Sequence, residues 1–88
     1  MIVNDFYNIV GASLKEKRVL VLSKSKDKIR IMDVDKGFPN ILSINKKDIG
    51  EFSKIDIVSV INLLGVDNQQ VRVAIQSRIN KENLNAKI

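Results

Sequence analysis

The sequence predicts one α+β domain, in which a small N-terminal antiparallel β-meander is followed by a C-terminal helix-turn-helix. Three observations predict this fold class. The 88 residues suffice for a single modest hydrophobic core. Short runs of β-forming residues occupy much of residues 1–52. From residue 53 to residue 88 the polar residues change to a helical spacing.

Three apolar runs predict the strands of the meander. Arg18–Ser23 is a run of β-formers, and Lys28–Ile31 alternates apolar with basic residues. Between them, Ser23–Asp27 supplies turn-forming residues, which predicts a hairpin. Ile41–Ile44 follows a turn signal at residues 35–37 and predicts the third strand.

Two other segments of the first half have the start signals of short helices. Asn4 is a candidate cap for one or two helical turns that end at Gly11. Asn45, with Asp48 three residues later, is a similar start and predicts about one turn through Phe52. The two predicted halves of the domain therefore join at residues 52 and 53.

The second half begins with a predicted helix over residues 53–64. Asp56, Ser59 and Asn62 recur at every third position, whereas a half-exposed strand would place polar residues at every second position. Ser53 can accept a hydrogen bond from a first-turn amide, with Asp56 at the capping-box position. Gly65 can take the left-handed conformation that ends a helix.

A second helix is predicted from Asn68 onward, because Asp67 and Gln70 form another capping pair. Only three residues, 65–67, separate the two helices, and so short a connection containing Gly allows a steep crossing. On a helical wheel the second helix has two faces. The packing face holds Val71, Ala74, Ile75, Arg78 and Ile79, and the polar, basic face holds Gln69, Arg72, Val73, Gln76 and Asn80.

The stretch from Val60 to Ile79 resembles the helix-turn-helix of bacterial regulators, most closely the promoter-binding element of sigma factors and response regulators. Leu64, Gly65 and Val66 match its turn, and Asp67 its cap. Its buried positions fall on Val71, Ile75 and Ile79, while Ile61 stands where the family usually has Ala. The resemblance implies a small DNA-binding regulator of transcription whose second helix enters a major groove.

The resemblance also implies a role for each exposed residue of that helix. Gln69 and Gln76 would pair with adenine, Arg72 would reach guanine or a phosphate, and Val73 would meet a thymine methyl group. Asn68 and Gln70 would hold a phosphate at the helix start. Basic residues outside these positions would contact the DNA backbone without reading sequence. They are Arg78 and Lys81, together with Lys15, Lys17, Arg18, Lys24, Lys26, Lys28 and Arg30.

The charge distribution independently suggests a polyanionic partner. The net charge is +5, and residues 15–30 alone carry seven basic against two acidic residues. An excess this concentrated is typical of a surface that binds nucleic acid. For any single lysine the simpler interpretation is that it keeps a strand edge soluble.

A second resemblance leads to RNA instead of DNA. Leu20–Lys24, Leu64–Val66 and Gln70–Val73 are similar to segments of the carbon storage regulator family. That family forms intertwined β dimers which bind stem-loop RNA, and Lys24 would stand for its first-strand arginine. Residues 71, 73 and 75 would then alternate as a strand. We place this alternative second, because the chain has no His and lacks the family's last-strand motif.

Composition removes several function classes. Without Cys or His, the chain cannot use thiol or imidazole chemistry, so we expect no enzymatic activity, no metal and no cofactor. No apolar run approaches the roughly 18 residues of a membrane span, and no signal-peptide layout is present, which predicts a cytoplasmic protein without membrane contact. A third alternative is a phage or plasmid protein that modulates a host protein. Dimerisation is expected because one small recognition helix rarely gives sufficient affinity.

Overall fold

Five strands and two helices form the described part of the chain, which in this computed structural model comprises residues 1–11, 14–34, 40–64 and 68–86. A 3₁₀ turn, Lys46–Asp48, joins the fourth strand to the fifth. The strands are β1 (Phe6–Gly11), β2 (Leu14–Lys24), β3 (Lys28–Asp33), β4 (Asn40–Asn45) and β5 (Glu51–Lys54), and the helices are α1 (Ile57–Ile61) and α2 (Gln69–Ala86).

The five strands make one antiparallel sheet in the order β4-β3-β2-β1-β5. The first four are consecutive, and β5 returns to pair with the free edge of β1, where Phe52 lies opposite Ile9. Since β4 and β5 form the two edges of the order, the 3₁₀ turn must carry the chain from one edge of the sheet to the other.

One face of the sheet packs against the helices. Phe6, Leu20 and Met32 come from the three central strands and alternate with side chains of the opposite face. They share a core cluster with residues of both helices and of the segments that flank them. This cluster contains Phe6, Leu20, Met32, Val34, Ile55, Val60, Leu63, Val71, Ala74 and Ile75.

The other face of the sheet is also buried, although the helices do not cover it. Ile9, Val19, Val21 and Ile31 have no exposed surface. They cluster with Tyr7, Ile29 and Ile44, and Met1 and Ile49 pack against the cluster. The sheet therefore bends around this second core, as twisted antiparallel sheets with bulges do, and register irregularities occur in both the β1–β2 and β2–β3 pairings.

Helix α2 has the two faces that its sequence predicts. Val71, Ala74, Ile75 and Arg78 are buried, whereas the residues of the predicted polar face are exposed. Burial of Val71 and Ile75 stabilises the fold by roughly 1.5–3 kcal/mol each. The side chain of Asn68 caps the helix by accepting a hydrogen bond from the Val71 amide at 3.1 Å. The prediction of this helix and of its buried face is confirmed.

The predicted fold class is wrong, because the described residues form a five-stranded antiparallel sheet with one long and one short helix and show no C-terminal helix-turn-helix. Ser53 and Lys54 pair with β1 in strand β5, so the predicted join at residues 52 and 53 falls inside a strand. The following helix, α1, comprises only Ile57–Ile61, and Asp56 caps it instead of Ser53. Four of its five residues are β-branched, which disfavours a longer helix. Helices α1 and α2 contact each other, and side chains of both pack on the same face of the sheet.

The three predicted strands are present as β2, β3 and β4, but within a larger sheet. The helix predicted after Asn4 is wrong, since Phe6–Gly11 forms β1 and places Phe6 and Tyr7 in opposite cores. The turn predicted after Asn45 is present, but it ends at Asp48 and β5 follows. The predicted turn at residues 35–37, the helix end at Gly65 and the cap at Asp67 lie outside the described residues.

Candidate nucleic-acid interface

Five lysines from two turns lie together at one end of the sheet and are called here the lysine cluster. The β2–β3 hairpin carries three of them, and the 3₁₀ turn after β4 carries the other two. A backbone hydrogen bond of 2.9 Å, from the amide of Lys46 to the carbonyl oxygen of Asp27, joins the two turns directly. The members of the cluster are Lys24, Lys26, Lys28, Lys46 and Lys47.

Short-range hydrogen bonds fix both turns. In the hairpin, the amide of Ser25 donates to the Lys28 carbonyl oxygen at 2.9 Å, and the Lys28 amide donates back to the Ser25 hydroxyl oxygen at 3.2 Å. In the 3₁₀ turn, the amide of Ile49 donates to the Lys46 carbonyl oxygen at 3.2 Å. The lysine-bearing backbone is thus held in place, while the side chains extend into solvent.

The lysine cluster carries a net positive charge. All five side chains are exposed, and the carboxylates within the two turns are those of Asp27 and Asp48. The ion pairs found among the described residues lie elsewhere, at Lys17, Lys54 and Arg78. Arg30, on β3 beside the cluster, is exposed as well. This end of the molecule therefore attracts anions.

A pocket of about 270 Å³ opens beside the lysine cluster and is called here the end pocket. Lys24 and Lys46 contribute cationic side chains to its wall, and the described residues that line it include no Asp or Glu. Most of the remaining lining is apolar or aromatic. The lining residues are Met1, Lys24, Ile29, Lys46, Ile49, Gly50 and Phe52.

Phe52 is the exposed aromatic residue of this pocket. It lies on β5 opposite Ile9, and 53% of its surface is accessible. Its ring meets Tyr7 edge to face, with centroids 5.9 Å apart and an interplanar angle of 75°. This arrangement fixes the ring orientation and leaves more than half of the side chain open to a ligand.

Gly50 lets the chain pass close to β1 where it enters β5. Its amide donates to the Val10 carbonyl oxygen at 2.8 Å. A Cβ at this position would lie only 3.1 Å from that oxygen, tighter than ordinary contact. A larger residue would therefore require the backbone of β1 or of this segment to shift slightly.

The predicted basic patch on residues 15–30 divides into two separate parts. Lys24, Lys26, Lys28 and Arg30 belong to the cluster end of the hairpin. Lys15, Lys17 and Arg18 lie near the start of β2, roughly 20–30 Å from Lys24 along the strand. There Lys17 Nζ is 3.9 Å from an Asp33 carboxylate oxygen, and Arg18 is half-buried and has an interaction partner.

The residues predicted to contact DNA from the second helix lie along α2 or at its start. Gln69, Gln70, Arg72, Val73, Gln76 and Lys81 are exposed, and Val73 is 57% accessible. Asn68 is half-buried because its side chain caps the helix. Gln76 donates to Asn80 at 2.9 Å. The helical period alone accounts for their exposure on one side of α2. The roles predicted for them in a DNA groove depended on a helix-turn-helix, which the described residues do not show.

Arg78, predicted to contact a DNA phosphate, is instead buried in a network of internal contacts, called here the Arg78 network. Its guanidinium donates to a carboxylate oxygen of Asp5 at 2.6 Å, to Glu82 at 2.9 Å and to the Ile55 carbonyl oxygen at 3.0 Å. Lys54 adds a second cation 3.3 Å from Asp5. Phosphate contact would require these bonds to break.

The charge state of Arg78 follows from the same contacts. Burial by itself lowers the pKa of Arg78, but the hydrogen bonds to Glu82 and Asp5 outweigh it, so the net change in pKa is upward. The guanidinium stays charged, and its charge is used inside the fold.

The sequence interpretation did not select Lys46, Lys47 or Phe52 as functional residues. The Lys46-Lys47 doublet is visible in the sequence, but Asp48 and Glu51 follow it closely and offset its charge. Only the pairing of the two turns brings this doublet to the hairpin lysines. Phe52 was predicted to lie in a helical turn. That prediction gives no reason to expect Phe52 and Lys24 in the same pocket.

Two further features are absent from residues 1–11, 14–34, 40–64 and 68–86. No group of three or more Asp or Glu residues in these ranges is placed to hold a metal ion. No helix in them is both long and apolar enough to cross a bilayer.

Comparison of the chain with protein-family models, with curated proteins and with solved structures finds no match. The function must therefore be inferred from the chain itself. The expected homodimer and the host-protein partner stay predictions. Ile41 and Leu42 are exposed apolar residues of the edge strand β4.

Proposed function

We propose that this protein binds nucleic acid through the lysine cluster. The observation that carries the proposal is the hydrogen bond from the Lys46 amide to the Asp27 carbonyl oxygen. It unites two lysine-bearing turns that are distant in sequence. Five exposed lysines against two carboxylates give the site an excess of three positive charges. Such a site suits a phosphate backbone.

The simpler interpretation of surface lysines is that they keep turns and strand edges soluble. That interpretation accounts for isolated lysines such as Lys15 and Lys81. It does not explain why lysines from two separate turns come to the same end of the sheet. A polyanion that contacts several of them at once releases its own counterions, which favours binding.

Neither of the two binding modes that the sequence suggests fits the described residues. Duplex DNA was expected through a helix-turn-helix, which the described residues do not show. The carbon storage regulator alternative needs Val71, Val73 and Ile75 on a strand, but these residues lie within α2. The proposal therefore retains nucleic acid as the partner and moves the contact surface from α2 to the lysine cluster.

Two matched double variants test the proposal. Lys26→Gln with Lys47→Gln removes two charges from the cluster, and Lys15→Gln with Lys81→Gln removes two exposed charges elsewhere. Binding of labelled oligonucleotides, both single-stranded and duplex, is measured by fluorescence anisotropy in about 0.1 M salt. At that salt concentration, each lost phosphate contact should lower the affinity for a single strand by about 0.7 of a log10 unit. We expect the cluster variant to bind about 25-fold more weakly.

The control variant is expected to bind within about twofold of the unmodified protein, since its charges lie outside the site. Equal weakening by both variants would mean that net charge alone attracts the nucleic acid. Absence of saturable binding by the unmodified protein, even in low salt, would overturn the proposal. Circular dichroism verifies that all four substituted sites leave the fold intact.

A further inference from the structure

We propose that the end pocket takes one unstacked base of a single-stranded nucleic acid, with Phe52 as its stacking surface. Lys24 and Lys46 then contact the phosphates that flank this base. The inference rests on the proposed function and adds the form of nucleic acid that is bound. Four features of the pocket carry it: size, lining, charge and position.

The size of the pocket suits one base. Its volume of about 270 Å³ lies just below the range of roughly 300–1,000 Å³ that holds drug-sized ligands. A planar heterocycle is smaller than such ligands and fits. A larger cofactor, with its own sugar and phosphate groups, would have most of its surface outside.

The lining suits the two parts of a nucleotide differently. Ile29, Ile49 and Phe52 supply an apolar and aromatic wall for the flat faces of a base. Lys24 and Lys46 supply cations for the adjacent phosphates. No described lining residue is acidic, so nothing in this wall opposes a negatively charged strand.

The position of the pocket gives the strand a path. Lys24 and Lys46 belong both to the pocket wall and to the lysine cluster, so a strand with one base inserted continues onto Lys26 or Lys47. A base in a duplex is stacked and paired, and it would have to be extruded at a cost before it could enter. The pocket therefore selects single strands.

One substitution provides a direct probe of the stacking. The chain has no Trp, so Phe52→Trp introduces a single indole at the proposed surface. Titration with a short oligouridine or oligothymidine is expected to quench its fluorescence saturably. An abasic oligonucleotide of the same length has the same phosphates but no bases, and it is expected to leave the fluorescence nearly unchanged.

A second pair of variants measures the contribution of the ring in the natural context. Phe52→Leu keeps an apolar side chain and removes the stacking surface, and it is expected to weaken oligouridine binding about tenfold. Phe52→Tyr keeps the ring and is expected to bind within about twofold of the unmodified protein. Thermal denaturation of both variants verifies folding. The oligouridine and oligothymidine arms distinguish RNA from DNA as the source of the strand.

The outcomes separate this inference from the proposed function. If lysine substitutions weaken binding but abasic and base-containing strands bind equally well, the lysine cluster stands and the base pocket is overturned. Duplex binding as tight as single-strand binding also overturns the pocket. If no oligonucleotide binds at all, both the function and the pocket fail.

Discussion

The two charged regions of this molecule use the same kind of residue in opposite ways. In the Arg78 network, Arg78 is only 7% exposed, and its guanidinium is hydrogen-bonded to two carboxylates and a carbonyl oxygen. In the lysine cluster, five exposed lysines outnumber the two carboxylates of the same turns, and none of the five forms an ion pair among the described residues. The contrast teaches that a basic residue becomes structural where the fold brings acids to it, and stays available for a partner where it does not.

The physical basis of the contrast is desolvation. A buried charge is tolerated only when hydrogen bonds replace its water, and Asp5, Glu82 and Ile55 do this for Arg78. An exposed lysine keeps its water and loses little by staying unpaired. Substitutions in the two regions should therefore affect different properties, namely stability at Arg78 and binding at the cluster.

The largest expected effect is on stability. Arg78→Met retains much of the buried side-chain volume but leaves the carboxylate of Asp5 without its closest partner. Loss of one member of a buried ion pair costs about 3–5 kcal/mol. Lys54, 3.3 Å from Asp5, offsets part of this cost, so we expect a loss near the lower end of that range. Urea denaturation measures the free energy of unfolding.

Lys81→Met is the matched control, because Lys81 is exposed on the same helix. We expect it to change the free energy of unfolding by less than about 0.5 kcal/mol. A change of similar size in both variants would show that Arg78 contributes no more to stability than an exposed lysine does. The proposed contrast between the two regions would then be wrong.

The second expected effect is on the salt dependence of binding and not on stability. Lys26→Gln with Lys47→Gln should make the log-log slope of single-strand affinity against salt less steep by about 1.4, since each phosphate contact contributes about 0.7. The free energy of unfolding should stay within about 0.5 kcal/mol of the unmodified value, because both lysines are exposed. Titrations between about 50 and 200 mM salt measure the slope.

An unchanged slope with weaker binding would argue that these lysines act other than through phosphates. The charge-matched control, Lys15→Gln with Lys81→Gln, should leave the slope as it is. A marked loss of stability in the cluster variant would instead indicate that its lysines are structural, like Arg78.

The two regions were not equally visible in the sequence. The hairpin lysines could be found because a local turn signal places Lys24 and Lys28 close together whatever the rest of the fold does. The position of Lys46 could not be found, since it depends on a long-range hydrogen bond to Asp27. The same limit applies to Asp5 and Arg78, which are 73 residues apart in the chain.

The error in fold class has a comparable origin. The buried face of α2 was predicted correctly, since Val71, Ala74 and Ile75 are buried. This was possible because the helical period depends only on residues close together in the sequence. The polar spacing of Asp56, Ser59 and Asn62 was also helical, but it cannot show that Ser53 and Lys54 pair with β1. The pairing of Ser53 and Lys54 with β1 outweighed the local preference for helix. The helix therefore begins only after Asp56.

The smallest expected effect concerns Asp56. This carboxylate is exposed, like the lysine cluster, but it stabilises the fold, like the Arg78 network. Its side chain accepts a hydrogen bond from the Ser59 amide at 2.8 Å and caps α1. Hydrogen bonding to Ser59 lowers the pKa of Asp56 below its usual 3.8, and the charge of Arg78 lowers it further. The folded state thus favours the carboxylate, so its stabilising contribution is present above pH 3.8 and is lost as pH falls through the lower, folded-state value.

Asp56→Asn isolates this contribution, because Asn caps a helix about as well as Asp but does not titrate. We expect the unmodified protein to have the slightly higher Tm at neutral pH, and the difference between the two proteins to shrink once pH falls below 3.8. Thermal denaturation across this range measures it. A Tm difference that stays constant with pH would mean that the cap acts through its geometry alone.

The same comparison can be made in a chain that carries Arg78→Met, with Asp or Asn at position 56. There the Tm difference should shrink at a higher pH than in the natural chain, because Arg78 is one of the groups that lower the pKa of Asp56. Such a shift would show that the Arg78 network also influences a carboxylate on the surface, whereas the lysine cluster acts on an external partner.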